Sequence, residues 1–171
     1  MAKIYYISDR VGKMVTQTAA ITSINNVAEA FLTFDTMSHK KLQKLCYYAY
    51  SWYLALYGEK LFNEHFEAWI HGPVSPVLYS EFKKHGWKEI PRTNSVSDEI
   101  NNNDAAIELI NEVYRSYGDL SGDELEYLTH QEDPWLMARG DLPEFIPSNQ
   151  RIDDRVIIDF YQREFEEAQN D

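Results

Sequence analysis

The chain has a single cysteine, Cys46, so no disulfide can close within it and no cysteine-rich zinc site can be built. Long apolar runs are missing, which excludes a helix spanning a membrane. The first ten residues, MAKIYYISDR, lack the apolar stretch of a signal peptide, and the expected location is the cytoplasm. Basic residues are scarce: 16 Lys and Arg stand against 28 Asp and Glu, a formal net charge of −12. A field of that sign repels phosphate backbones and argues against nucleic-acid binding by the surface as a whole; it favours solubility and would attract a basic protein partner. The seven glycines are scattered, mostly at expected helix ends, and form no phosphate-cradling loop. The five histidines, His39, His65, His71, His85 and His130, contain no i, i+4 pair and no HExxH. No GxSxG elbow is present. The carboxylates are spread over polar faces. The expectation is a protein with no cofactor, no metal and no catalytic residues.

What is there is helical periodicity. The 171 residues suffice for one domain with a substantial core. Residues 1–22 show no sustained period and are expected to form an N-terminal arm, extended or partly disordered, ahead of a helical domain over 23–168. Ser23 is a good N-cap for a helix carrying Val27, Ala30, Phe31 and Phe34 at helical spacing. The next helix starts near Thr36 or Ser38 and carries the stripe Leu42, Leu45, Cys46, Ala49, Trp52, Tyr53 and Leu56, ended by Gly58 as a left-handed cap. This is the expected central helix of the core, with Cys46 buried in it. Its tyrosines, Tyr47, Tyr48, Tyr50, Tyr53 and Tyr57, cannot all face one way. Some are expected at the core edge or the surface, either lying flat over the core or offering a contact face.

Residues 59–70 alternate closely enough for a short strand or hairpin. Ser75 with Pro76 begins a further helix that Gly86 ends. Residues 87–103 read as a surface loop. Another helix opens at Asp104, with Ala106, Ile110, Val113 and Tyr117 on one face. Ser121 and Glu124 have capping-box spacing. Asp133-Pro134 starts a short helix with Pro134 in its first position, and Asp153 or Asp154 caps a last one. The fold class is therefore mainly α, a single compact domain of about six helices with at most a small β hairpin.

Two segments each set a Trp and a His beside a proline-shaped turn. One is Trp69, His71, Gly72, Pro73 and Val74, followed by Tyr79. The other is Thr129 and His130, then Pro134 and Trp135. Trp and Tyr join large apolar area to a polar tip, which suits an interface. The same residues can equally pack the core and pin the turns, with His71 and His130 bonding backbone carbonyls. A hydrolase or nuclease using His71 and His130 is the enzymatic alternative.

Taken in order, HKKLQKLCYYAYSWYLALYGEKLF, EAWIHGPVSPVLYSEFKKHG and LSGDELEYLTHQEDPWLMAR resemble the SocA/GepA-type domain, also called the Panacea antitoxin domain. The resemblance rests on Lys41-Leu42-Gln43-Lys44-Leu45, Leu56-Tyr57-Gly58, Ala68-Trp69 with His71-Gly72-Pro73-Val74, Tyr79, and Leu128-Thr129-His130 with Pro134-Trp135. It covers roughly residues 24–165. It implies a phage-associated or prokaryotic antitoxin that binds and neutralises a cognate toxin encoded by an adjacent gene. It also implies an alternative, an adaptor that presents a bound protein to a protease. No catalytic residues follow from it.

Overall fold

The middle of the molecule is one helix with no solvent side. A computed structural model describes residues 19–170; residues 1–18, and with them most of the expected N-terminal arm, lie outside the described residues. Helix α2 (His39–Tyr57) starts where the Ser38 hydroxyl accepts the Lys41 amide and stops where Gly58 turns left-handed at φ 68°. Every residue from Leu42 to Leu56 is buried. A helix apolar on one stripe needs one partner, whereas a helix enclosed all round must be wrapped. The wrapping comes from α1 (Ile24–Leu32), α3 (Pro76–Phe82), α5 (Asp104–Tyr117), α6 (Gly122–Thr129) and α8 (Asp154–Asn170), and from strand β2 (Gly72–Val74).

This enclosure corrects the expectation for the tyrosines. Tyr47, Tyr48, Tyr50 and Tyr53 are all buried, and only Tyr57, next to the cap, is half-exposed. They pass below the surface because α5 and α8 cover the faces that a one-sided stripe would have left open.

Eight α-helices occur among the described residues, rather than about six. The unforeseen one, α4 (Asp98–Asn101), is a single turn capped by Ser97 inside the segment read as loop. A 3₁₀ turn (Lys83–His85) continues α3 and ends at Gly86. The Ser121–Glu124 capping box closes as its spacing requires. Pro134 occupies the second position of α7 (Asp133–Arg139), one later than expected, because Asp133 already has helical geometry. The one sheet found is an antiparallel hairpin of β1 (Glu67–Trp69) and β2, with Trp69 opposite Gly72. Residues 150–152 run beside β1, the Ala68 amide donating to the Gln150 carbonyl at 2.8 Å. At the chain's described start, the Ile21 and Thr22 amides bond the carbonyls of Lys60 and Leu61. No helix among the described residues is long and apolar enough to cross a membrane.

A buried carboxyl organises the far side of α2. Glu132, 4% exposed, accepts the Tyr48 hydroxyl at 2.7 Å and the Tyr161 hydroxyl on its other oxygen. Tyr117 stacks on Tyr48 at 4.1 Å between centroids and accepts the Trp52 indole N–H at 2.9 Å. This ties α2, α5 and α8 to the residue ahead of α7. With no basic group in the cluster, burial pushes Glu132 from 4.5 up to about 7. The folded state therefore holds this proton more tightly than the unfolded chain. The stabilisation is complete below pH 4.5 and is lost as pH rises through about 7. Glu132→Gln keeps one acceptor oxygen, replaces the other with an NH2 that can donate to a tyrosine hydroxyl, and removes the titration. Unfolding curves of both proteins across that window should show the variant gaining relative stability as pH rises. Parallel curves would mean that Glu132 does not titrate there.

Candidate functional site

Four of the residues singled out in the sequence meet at one groove. Trp69, His71, Val74 and Tyr79 line a hollow of about 380 Å³ whose floor is the first turns of α2, from Ser38 to Lys44. Trp87, on the loop beyond α3, completes its rim and is 98% exposed. Two slightly larger hollows, about 440 and 420 Å³, lie along α7–α8 and on α5, but their walls are mostly charged and amide side chains. Of these three hollows, the groove is the one with an aromatic wall. The rings of Trp69 and Tyr79 lie 5.1 Å apart, and Tyr79 also stacks on His39 at 5.4 Å.

The turn between strands is held by two polar side chains of α2. Gln43 grips the junction of β2 and α3 from both sides: its Oε1 accepts the Ser75 amide at 2.9 Å and its Nε2 donates to the Ser75 carbonyl at 3.2 Å. Lys44, 1% exposed, donates from Nζ to the Pro73 carbonyl at 3.2 Å. Gly72 makes this approach possible. Its φ is +96°, and a Cβ there would stand 2.6 Å from Lys44 Cε and 2.8 Å from Thr129 Oγ1. Pro76 then fits the first turn of α3, whose cap is the Ser75 hydroxyl.

Burial sets the charges here. It pushes Lys44 down to about 7, aided by the Lys40 charge and opposed by Glu126. His39 is pushed down to about 4 by burial, then by Lys44 and His85, so it is neutral near pH 7. Burial would raise Glu126, but hydrogen bonds from Lys40 at 2.5 Å and His71 at 3.0 Å outweigh it and hold the carboxyl below its ordinary range.

The second segment is the groove's support. Trp135 is buried and its indole N–H donates to the Trp69 carbonyl at 2.9 Å. His130 stacks on Trp135 at 3.9 Å between centroids, and the Arg139 guanidinium lies over the Trp135 ring, 4.8 Å from its centroid. Arg139, 4% exposed, donates to the carbonyls of Ala68, Pro143, Glu144 and Ile146, fixing β1 and the loop after α7 together. Thr129 and Pro134 are buried. The two histidines bond carboxylates rather than the carbonyls expected: His71 meets Glu126, and His130 meets Glu144 at 3.1 Å. They line different hollows, His71 the aromatic groove and His130 a smaller one of about 170 Å³ beside α7. No group of three or more His, Cys, Asp or Glu able to hold a metal occurs among the described residues.

Sequence reasoning missed Gln43, Lys44, Arg139 and Trp87 as parts of the site. The first three had a readable signal: a strongly polar residue inside an apolar helical run must find a partner if the run is buried. Trp87 had none, since a tryptophan in a polar loop is equally a plug and a projection.

Comparison with known proteins points one way. The family model for the antitoxin SocA-like, Panacea domain matches residues 42–136, more than half of the chain, from the first buried turn of α2 into α7. Antitoxin SocA of Caulobacter vibrioides (strain NA1000 / CB15N) is 46% identical over 54 residues, which are 32% of this chain and 29% of that protein. The aligned stretch thus spans less than a third of the curated relative. No solved structure matches.

Two substitutions separate support from surface. Gly72→Ala should lower stability by about 1–3 kcal/mol, the range for a side chain forced into an unfavourable backbone region. Trp135→Ala, which removes a buried aromatic, should cost about 3–5 kcal/mol. Trp69→Ala, at a half-exposed position, should cost clearly less than Trp135→Ala. Denaturant midpoints measure all three, and equal losses at Trp69 and Trp135 would contradict this division.

Proposed function

The chain belongs to the SocA-like, Panacea-domain antitoxin family, and from that premise we propose that it neutralises a cognate toxin by binding it directly through the aromatic groove. The observation that carries this reading is the exposure of Tyr79 and Trp87 beside Trp69 in a groove whose walls are otherwise tied down. Exposing a whole indole to water is unfavourable, and side chains of this type act as anchors when a partner covers them. The groove's lining from Gln43 to Trp87 lies within the stretch matched by the family model.

Preorganisation is the physical advantage. Gln43, Lys44, Trp135 and Arg139 fix the hairpin before any partner arrives, so binding immobilises little besides the rim side chains. A face of about 1,200–2,000 Å² centred on the groove would suffice for a stable complex. Neutralisation then follows from occlusion: a rigid helical surface covers the part of the toxin that acts.

Co-expression with the adjacent gene tests this. That gene alone should arrest growth of a bacterial host, and this chain should restore it and co-purify with the product. Tyr79→Ala with Trp87→Ala should abolish rescue while lowering the unfolding midpoint only a little, since Trp87 is almost wholly exposed and Tyr79 is 41% exposed. Full rescue by that double variant would remove the groove from the reading.

A further inference from the structure

We propose that the groove receives an acidic segment of the partner protein, one that inserts an apolar side chain between Trp69, Tyr79 and Trp87 and sets carboxylates against Lys44 and the lysines of the rim. The inference rests on the binding reading above and specifies the chemistry of what binds.

The first ground is the distribution of charge. The chain is acidic overall, with a net charge of −12, yet Lys83, Lys84 and Lys88 flank Trp87 within six residues. All three are exposed, and none forms an ion pair among the described residues. Other exposed cations behave differently: Lys60 pairs with Asp154, Arg155 with Asp153, and Arg163 with Asp133. Acidic groups near the rim are mostly engaged. Glu126 is held by Lys40 and His71, and Glu89 accepts the Thr36 hydroxyl at 2.9 Å. Glu81 on α3 is exposed. Lys83 on the rim and Lys84 and Lys88 beside it thus outnumber the exposed Glu81 and Glu89 of the same segment and have no ion-pair partner among the described residues.

The second ground is the floor. An ammonium has three N–H donors. Lys44, almost wholly buried, has a single hydrogen-bond acceptor among the described residues, the Pro73 carbonyl, and it lines the groove. One acceptor leaves a buried ammonium under-satisfied, and burial holds Lys44 down to about 7; a carboxylate at the groove floor would add acceptors and favour the charged form. Its hydrocarbon neighbours set the remaining requirement. A cavity of about 380 Å³ walled by Trp69 and Tyr79 takes one large apolar side chain next to the charge.

Three ligands sharing one ring give the test. Indole-3-propionate, indole-3-propionamide and tryptamine would each be titrated into the isotope-labelled full chain, following the Trp69 and Trp87 indole resonances. A twelve-residue thymidine strand serves as the nucleic-acid probe. The expected order of affinity is carboxylate, then amide, then amine. The triple variant Lys83→Gln, Lys84→Gln, Lys88→Gln should reduce the preference of carboxylate over amide about two- to fivefold, the yield of one or two partly exposed ion pairs. Lys44→Met, close in volume, should reduce it further. Equal binding of carboxylate and amide, a preference for the amine, tighter binding of the thymidine strand, or no indole shift with any probe would overturn the proposal. The same variants in the growth assay separate the two readings. Rescue lost with Tyr79→Ala and Trp87→Ala but intact in the lysine variants keeps the groove as the toxin face and discards the acidic partner.

Discussion

A helix enclosed on every side makes each polar atom that lacks a partner inside the protein costly, and α2 is such a helix from Leu42 to Leu56. Its two polar ends of register do different jobs. Gln43 and Lys44 reach outward to the backbone of the Pro73–Ser75 turn, and so decide where the hairpin stands. One turn on from Lys44, Tyr48, through Glu132, draws in α8 and the start of α7. Remove the enclosure and both sets of bonds would compete with water. Retain it and the hairpin, α7 and α8 are located by the same element.

The groove inherits its rigidity from this arrangement. Its walls are built from short pieces, a three-residue strand pair and a seven-residue helix, which would not hold a shape alone. They are fixed by hydrogen bonds from behind: Gln43 and Lys44 from α2, Trp135 and Arg139 from α7. The two Trp-His segments that stand apart in sequence are thus one construction, the first forming the wall and the second its brace. The brace also contains a charge that is not exposed: Arg139 spends its guanidinium on four backbone carbonyls rather than on a carboxylate.

Much of the fold was legible because it is local. Ser23, Ser38, Ser75 and Ser121 all cap the helices their spacing announces, and Gly58 closes α2 as a left-handed residue. Family resemblance matched the family that the model of residues 42–136 identifies. What escaped was long-range. Whether a tyrosine at helical spacing is a core residue or a surface one depends on what packs over it, and α5 and α8 come more than fifty residues later. Of the site, the turn residues were visible and their division of labour was not, because Trp69 and Trp135 look alike in sequence and differ only in which one the other covers. The carboxylate partners of His71 and His130 lie 55 and 14 residues away and had no local signature.

The loop that carries Trp87 is fastened beyond it, where Glu89 accepts the Thr36 hydroxyl and the Thr93 amide donates to the Leu32 carbonyl, and is open before it. Ile90 pairs with Met37 in an isolated bridge, and Gly86 has nothing near the position a side chain would fill. Residues 83–89 are otherwise solvent-facing and contribute no member of the buried core. On the proposed reading, the exposed rim of the groove and the buried core therefore draw on separate parts of the chain. A lineage could rewrite this rim many times over, exchanging one partner for another, without once having to re-solve the packing around α2.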